Sequence, residues 1–321
     1  MQDSKELKNE DTKVEENKSE KKRKLLRWLE ILCFCILILV VTSILSYVMN
    51  PLRLNMPTAV SERDQIVSLA TLEEKNSIDV FILGDSEARV LACPEILMEK
   101  QGISAYVGSQ SGQKISELYV FLRDIIEEQD PKVVIIETDL FVLDGTSVMI
   151  EGGQAIKTTS EDIFPIFRYH NSWRYMWGLQ DPPETNFKKG FKIVHDIEPY
   201  NGGEYMEDDG STYGINFVVK YYMNKVKKLC DENDIQIVFV SSPSPENMTY
   251  AKHKVLQDYS EELGIPFIDF NDENSTGVHM DWDLDTLDGG DHINYNGSIK
   301  VSEYLADYLT ENYNLPDRRK E

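Results

Sequence analysis

The stretch DVFILGDSEARV, residues 79–90, decides how the fold is read. Val80, Phe81, Ile82 and Leu83 form an unbroken apolar run that stops at Gly84-Asp85-Ser86-Glu87. A short continuous apolar run bounded by turn residues reads as a strand covered on both faces, as in a parallel sheet. Open α/β sheets bind ligands outside the carboxyl ends of their strands, so Ser86 would stand where such folds place their chemistry. The competing reading is a strand that simply leaves the sheet through a polar loop.

The same alternation continues outward from this stretch. ISAYVGS (103–109), KVVIIET (132–138), IQIVFVSSP (235–243) and IPFIDF (265–270) read as further strands. Between and after them, 114–129, 215–233, 246–263 and 297–313 carry helical periodicity, with Ile115, Leu118, Leu122, Ile125 and Ile126 on one face of the first. Strands separated by helices predict a three-layer, doubly wound parallel sheet of the flavodoxin-like kind with right-handed crossovers. The segment from about 140 to 212 breaks the pattern. Aromatic and partly helical at first, then rich in Pro, Gly and acids, it predicts an insertion near the site: a lid, or a cap with its own packing.

Upstream, residues 1–24 are dense in Lys, Glu, Asp and Asn and almost devoid of large apolar side chains, which predicts a disordered tail. Residues 25–49 contain an uncharged stretch, Ile31 to Met49, long enough to cross a hydrocarbon core of roughly 30 Å. Lys21, Lys22, Arg23, Lys24 and Arg27 precede it, so the positive-inside rule predicts a cytoplasmic amino terminus and an outward-facing domain at 75–321, joined by a linker at 50–74. A cleaved signal peptide is the alternative, although no small-x-small site follows the span. Two of the four cysteines lie in the span, and Cys93 and Cys230 alone do not make a disulfide framework.

A net charge of −23 on 321 residues disfavours nucleic acid or another polyanion held by charge alone. Nucleotide-binding glycine motifs are missing, as is any Cys or His spacing for zinc. Acids at Asp281, Asp283 and Asp285 lack the twelve-residue calcium loop. No cofactor and no metal are therefore expected. His195 and His253 lie in segments without a carboxylate-histidine pattern and read as surface residues.

A serine is a poor nucleophile without a base, and a histidine oriented by a carboxylate supplies one. TLDGGDHINYNGS, residues 286–298, offers His292 with Asp288 four residues before it and Asp291 directly before it. Gly289-Gly290 would let the loop fold a carboxylate back onto the ring. The plain alternative is a polar turn with a surface histidine.

Gly84-Asp85-Ser86 after the first strand, with His292, Asn294 and Gly297 before the last helix, resembles the SGNH or GDSL hydrolase superfamily over roughly residues 75–314. The resemblance implies Ser86 as nucleophile, His292 as general base, Asp288 or Asp291 as its orienter, and the Ser86 and Gly112 N–H groups as the oxyanion hole. It departs from the family twice. Glu137-Thr138-Asp139 stands where Gly-x-Asn-Asp usually follows the third strand, and Gly289 stands three before the histidine, where the family's Asp is common. RYHNSW (168–173) is similar to a Tyr-His-x-x-Trp segment of membrane-anchored, outer-surface members. Such members resemble proteins of polysaccharide O-acetylation and D-alanyl transfer, which implies His170 and Trp173 as substrate-binding residues, an acylated glycan as substrate and a membrane-bound O-acyltransferase as partner. A catalytically degraded, glycan-binding or scaffolding relative is the second reading, and an extracellular sensor domain the third.

Overall fold

A computed structural model describes residues 3–142, 148–184 and 187–320, with side chains from residue 18 onward. The five expected strands form one parallel sheet. β1 is Val80–Leu83, β2 Ala105–Val107 and β3 Val133–Glu137; β4 (Phe187–Lys188) and β5 (Phe191–Lys192) form a separate antiparallel hairpin; β6 is Gln236–Ser241 and β7 Phe267–Asp269. The order β2-β1-β3-β6-β7 reverses direction between β1 and β3, the switch point at which doubly wound sheets open a crevice.

Alternation along each strand divides the core. Phe81, Leu83, Val134, Ile136, Ile237 and Phe239 pack with helices Ile115–Ile125, Phe217–Glu232 and Tyr250–Leu263. Val80, Ile82, Val133, Ile135, Val238 and Val240 pack with Pro94–Gln101 and Tyr295–Asn312 on the other face. Each fully buried side chain of this size contributes about 1.5–3 kcal/mol, so both faces need their helices. Arg318 donates to Asp79, 2% exposed beside β1, from Nη2 at 2.8 Å and ties the carboxyl-terminal segment to the sheet.

The amino-terminal helix runs from Asp3 to Val48, and its Lys18–Val48 part is long and apolar enough to span a membrane. Composition alone points to disorder before residue 25, whereas the structure continues the same helix through it. Glu and Lys are good helix formers, and Lys24 pairs with Glu20 one turn away at 2.8 Å. The 50–74 stretch is more than a linker. It holds helix Glu62–Leu69, buries Val60, Ile66 and Ala70, and accepts the Tyr106 hydroxyl at the Ile66 carbonyl, 2.6 Å away.

The insertion contributes helices Val148–Ile163, Ile166–Tyr169 and Trp173–Met176. The second of these meets the end of the membrane-type helix, where the Ile166 N–H donates to Ser46 Oγ at 3.3 Å. Residues 143–147 and 185–186 of the insertion lie outside the described residues.

Candidate active site

Ser86 follows β1 directly, and Gly84 makes that exit possible. A Cβ there would lie 2.7 Å from Glu137 Cβ and 2.8 Å from Ala88 Cβ, so only glycine lets the strand end approach β3 this closely. Gly112 lies in the loop after the adjacent strand β2, on the same edge of the sheet, in the left-handed conformation (φ 63°). Neither the Ser86 N–H nor the Gly112 N–H has a protein acceptor among the described residues.

The histidine loop folds through its own short-range bonds. Leu287 N–H donates to the His292 carbonyl at 2.9 Å, and Gly290 N–H to Thr286 Oγ1 at 2.7 Å. Asn294 caps the last helix through Oδ1 while its Nδ2 donates to Leu284 O at 2.8 Å, fixing the loop from below. Gly290, at φ 103°, is required because a Cβ would fall 2.7 Å from Pro245 Cγ and 2.8 Å from the Tyr200 ring.

This loop brings two carboxylates to one ring nitrogen. Asp288 Oδ2 lies 2.8 Å from His292 Nδ1 and its Oδ1 accepts the His292 backbone N–H at 2.7 Å; Asp291 Oδ2 lies 3.2 Å from the same Nδ1. His292 Nε2 is buried and has no partner among the described residues. Ser86 Oγ donates instead to Glu87 Oε2, 3.2 Å away, so the serine-histidine bond is open in this state. Catalytic hydrogen bonds often close only around substrate.

Glu87 is the residue that the sequence did not single out. It is 3% exposed, and Asn247 Nδ2 donates to its Oε1 at 2.8 Å and also to Asp291 Oδ1, so one amide links the serine's turn to the histidine's loop. Glu87, Asp291 and His292 each offer a donor atom within 4.8 Å of the others, as do Asp85, Glu87 and Asp139. Either set could hold a metal, the first through a ring nitrogen of His292.

Burial pushes Asp85 and Glu137 well above the usual carboxylate range, reinforced in both by Glu87. Burial, then the charge of Glu87, raises Asp139 to about 7. His292 also holds its proton, up to about 9: burial opposes this, but the bond to Asp291, the charges of Glu87 and Asp291 and the bond to Asp288 outweigh it. All these groups bind protons more tightly folded than unfolded, so their stabilisation is present at low pH and lost as pH rises. For Asp139 the loss runs from about 4 to about 7, and for His292 on to about 9. The melting temperature is therefore expected to fall between about pH 5 and pH 8, with Asp139→Asn flattening the curve below pH 7 in scanning calorimetry. A melting temperature that rises over that range would contradict the assignment.

His170 and Trp173 do not join this cluster. His170 is exposed, with Nδ1 at 2.9 Å from Phe167 O and Nε2 at 3.1 Å from Asn171 Nδ2, and Trp173 packs on Trp177 with centroids 5.7 Å apart. Their segment turns toward the Asp64 and Ser46 side, held by Arg168 to Asp64 at 2.8 Å, because its own short helices satisfy it locally. His253 is paired as well: Nδ1 lies 2.6 Å from Asp269 Oδ2, a carboxylate at the end of β7 that no local pattern connects to it.

No family model and no curated protein matches the chain. Solved structures similar to it include an acylhydrolase from Bacteroides fragilis, 14% identical with TM-score 0.40, covering 78% of this chain and 96% of that one. A GDSL-like lipase from Bacteroides thetaiotaomicron is 12% identical with TM-score 0.39, covering 80% and 100%. An acetyl xylan esterase from Butyrivibrio proteoclasticus is 11% identical with TM-score 0.32, covering 73% and 64%. Likeness at this level is silent on substrate and reaction, and the chemistry rests on this chain's own strand order and site.

Proposed function

We propose that the chain is a serine-dependent ester hydrolase or O-acyltransferase of the SGNH or GDSL type. Its amino-terminal helix would anchor it, with the amino terminus cytoplasmic and the domain outside the cell membrane. Its substrates would be acyl esters, acetyl foremost, of envelope or extracellular polysaccharide, with a membrane-bound O-acyltransferase as the partner that the resemblance implies. The observation that carries the reading is a histidine whose Nδ1 is held by Asp288 and whose Nε2 has no partner among the described residues, on a loop that Asn247 ties to the turn carrying Ser86 at the switch point.

In the first half-reaction the Ser86 hydroxyl turns from Glu87, its oxygen bonds to the acyl carbon and its proton passes to neutral His292 at Nε2. Asp288 holds the ring by Nδ1–H, and the free N–H groups of Ser86 and Gly112 receive the oxyanion. Collapse expels the sugar oxygen, which takes the proton from Nε2. Water or a sugar hydroxyl then attacks acyl-Ser86 while His292 accepts its proton; collapse breaks the Ser86–acyl bond and returns that proton to Ser86 Oγ, giving hydrolysis or transfer respectively.

A specific feature favours the second reading, a non-catalytic glycan-binding or scaffolding partner: Ser86 bonds to Glu87 rather than to His292. Intact mass after incubation of the full chain in detergent with a fluorophosphonate separates the two. One adduct on the wild type and none on Ser86→Ala is expected. An unlabelled, folded wild type above pH 9, where His292 is largely neutral, would support the scaffolding reading instead.

A further inference from the structure

Beside the histidine loop the fold opens a cleft of about 840 Å³ that the site chemistry does not use. Its floor is residues that follow β6 and β7, and its wall is the insertion's irregular returning segment, 200–206, so it opens on the same edge of the sheet as Ser86. Three rings line it at right-angled contact: Tyr200 and Tyr205 at 6.4 Å, Tyr200 and Trp282 at 6.3 Å, Tyr205 and Trp282 at 6.1 Å.

The rings are held in place before any ligand arrives. Tyr205 hydroxyl donates to Asn271 Oδ1 at 3.2 Å, Tyr200 N–H to the Trp282 carbonyl at 3.1 Å, and Tyr200 hydroxyl to Gly203 O at 3.2 Å. The Tyr200 ring also rests against Gly290, two residues from His292, so the cleft is continuous with the catalytic loop. A preformed aromatic surface with polar groups around it binds a ligand that has both an apolar face and hydroxyls.

Charge narrows the ligand class. Among the described residues no Lys or Arg lines the cleft, whereas Glu204, Asp272 and Glu273 do, answered by His253 and His279. An acidic ligand would meet these carboxylates while the two histidines are already paired, His253 with Asp269 and His279 with Glu273. Pyranose rings present C–H faces to aromatics and hydroxyls to the acids.

The geometry points to this cleft as a glycan subsite that takes a neutral or amine-bearing segment of the polysaccharide and excludes acidic ones, with Tyr200, Tyr205 and Trp282 as its platform. This deepens the polysaccharide reading above and rests on it. The subsite would position the chain so that the ester of a neighbouring sugar reaches Ser86.

Calorimetry on the full chain in detergent tests it with three probes: an N-acetylglucosamine hexamer, its de-N-acetylated form and hexagalacturonate. Binding of at least one of the first two, little or no binding of the third, and a loss of about tenfold or more in Trp282→Leu are expected. Hydrolysis of 4-nitrophenyl acetate should be unchanged in that variant. Should Trp282→Leu fail to fold, Glu204→Lys, an exposed change, is expected to weaken the amine-bearing hexamer and to admit hexagalacturonate. Silence of both hexamers, tighter binding of hexagalacturonate by wild type, or binding untouched by either substitution overturns the subsite. Ser86→Ala keeps the two readings apart. It should abolish the fluorophosphonate adduct and leave hexamer binding intact; in wild type, an adduct without hexamer binding sinks the subsite alone, and hexamer binding without an adduct sinks the esterase alone.

Discussion

Asp288→Asn is expected to lower kcat/KM for ester hydrolysis by about 10²–10⁴, against less than about tenfold for Asp291→Asn. Asp288 spans the histidine, with one oxygen on the backbone N–H at 2.7 Å and the other on Nδ1 at 2.8 Å. An asparagine keeping its oxygen on the backbone N–H would turn its NH₂ toward Nδ1. That pairing selects the tautomer with the proton on Nε2, which cannot accept the serine proton. Asp291, at 3.2 Å and already engaged by Asn247, offers a partial substitute, which is why the lower end of the range is included. The check is kcat/KM of wild type and both variants on 4-nitrophenyl acetate, with circular dichroism to show that each folds. Equal rates in wild type and Asp288→Asn would remove Asp288 as orienter, and a larger loss in Asp291→Asn would transfer the role.

The pairing of Asp288 with His292 was legible in the sequence because it is local. The two stand four positions apart, and the double glycine between them lets the loop fold back. The sheet was legible for a similar reason: each strand is an apolar, largely β-branched run, and its burial on both faces needs no knowledge of distant partners. Helix and strand ends moved inward by a few residues, as in the last strand, read as 265–270 and observed at Phe267–Asp269. What could not be read is what the fold brings together across the chain. Asn247 and Glu87 meet over 160 positions, and Asp269 reaches His253 from a different element. Glu87 in particular looks, in sequence, like one of two acids flanking a serine. Only the sheet's switch point shows it buried between Ser86, Asn247 and the histidine loop. Residues 50–74 escaped for the opposite reason: the helix Glu62–Leu69 is mostly polar, and its contribution to the core rests on a few buried side chains.

Glu87→Gln is expected to move the acid limb of the kcat/KM profile down from about 9 and to raise activity at pH 7 by about tenfold. A general base must be neutral before it accepts a proton. With its pKa near 9, His292 is neutral in about one molecule in a hundred at pH 7, so the wild-type rate should climb about tenfold per pH unit up to that point. Burial alone would favour the neutral ring, and the buried Glu87 carboxylate is among the groups that reverse this. Glutamine removes the charge and keeps one oxygen to accept from Asn247, while its NH₂ takes the place of the oxygen that held Ser86. The serine is also released, because an amide NH₂ in that place cannot accept its hydroxyl proton. The two effects act in one direction at pH 7, whereas above about pH 9 only the second persists and the gap between variant and wild type should narrow. Profiles of kcat/KM from pH 6 to 10 for both proteins read this directly. An unmoved limb would show that Asp288 and Asp291 alone hold the proton on His292. A variant slower at every pH would make Glu87 a supporting group of the site rather than a brake on it.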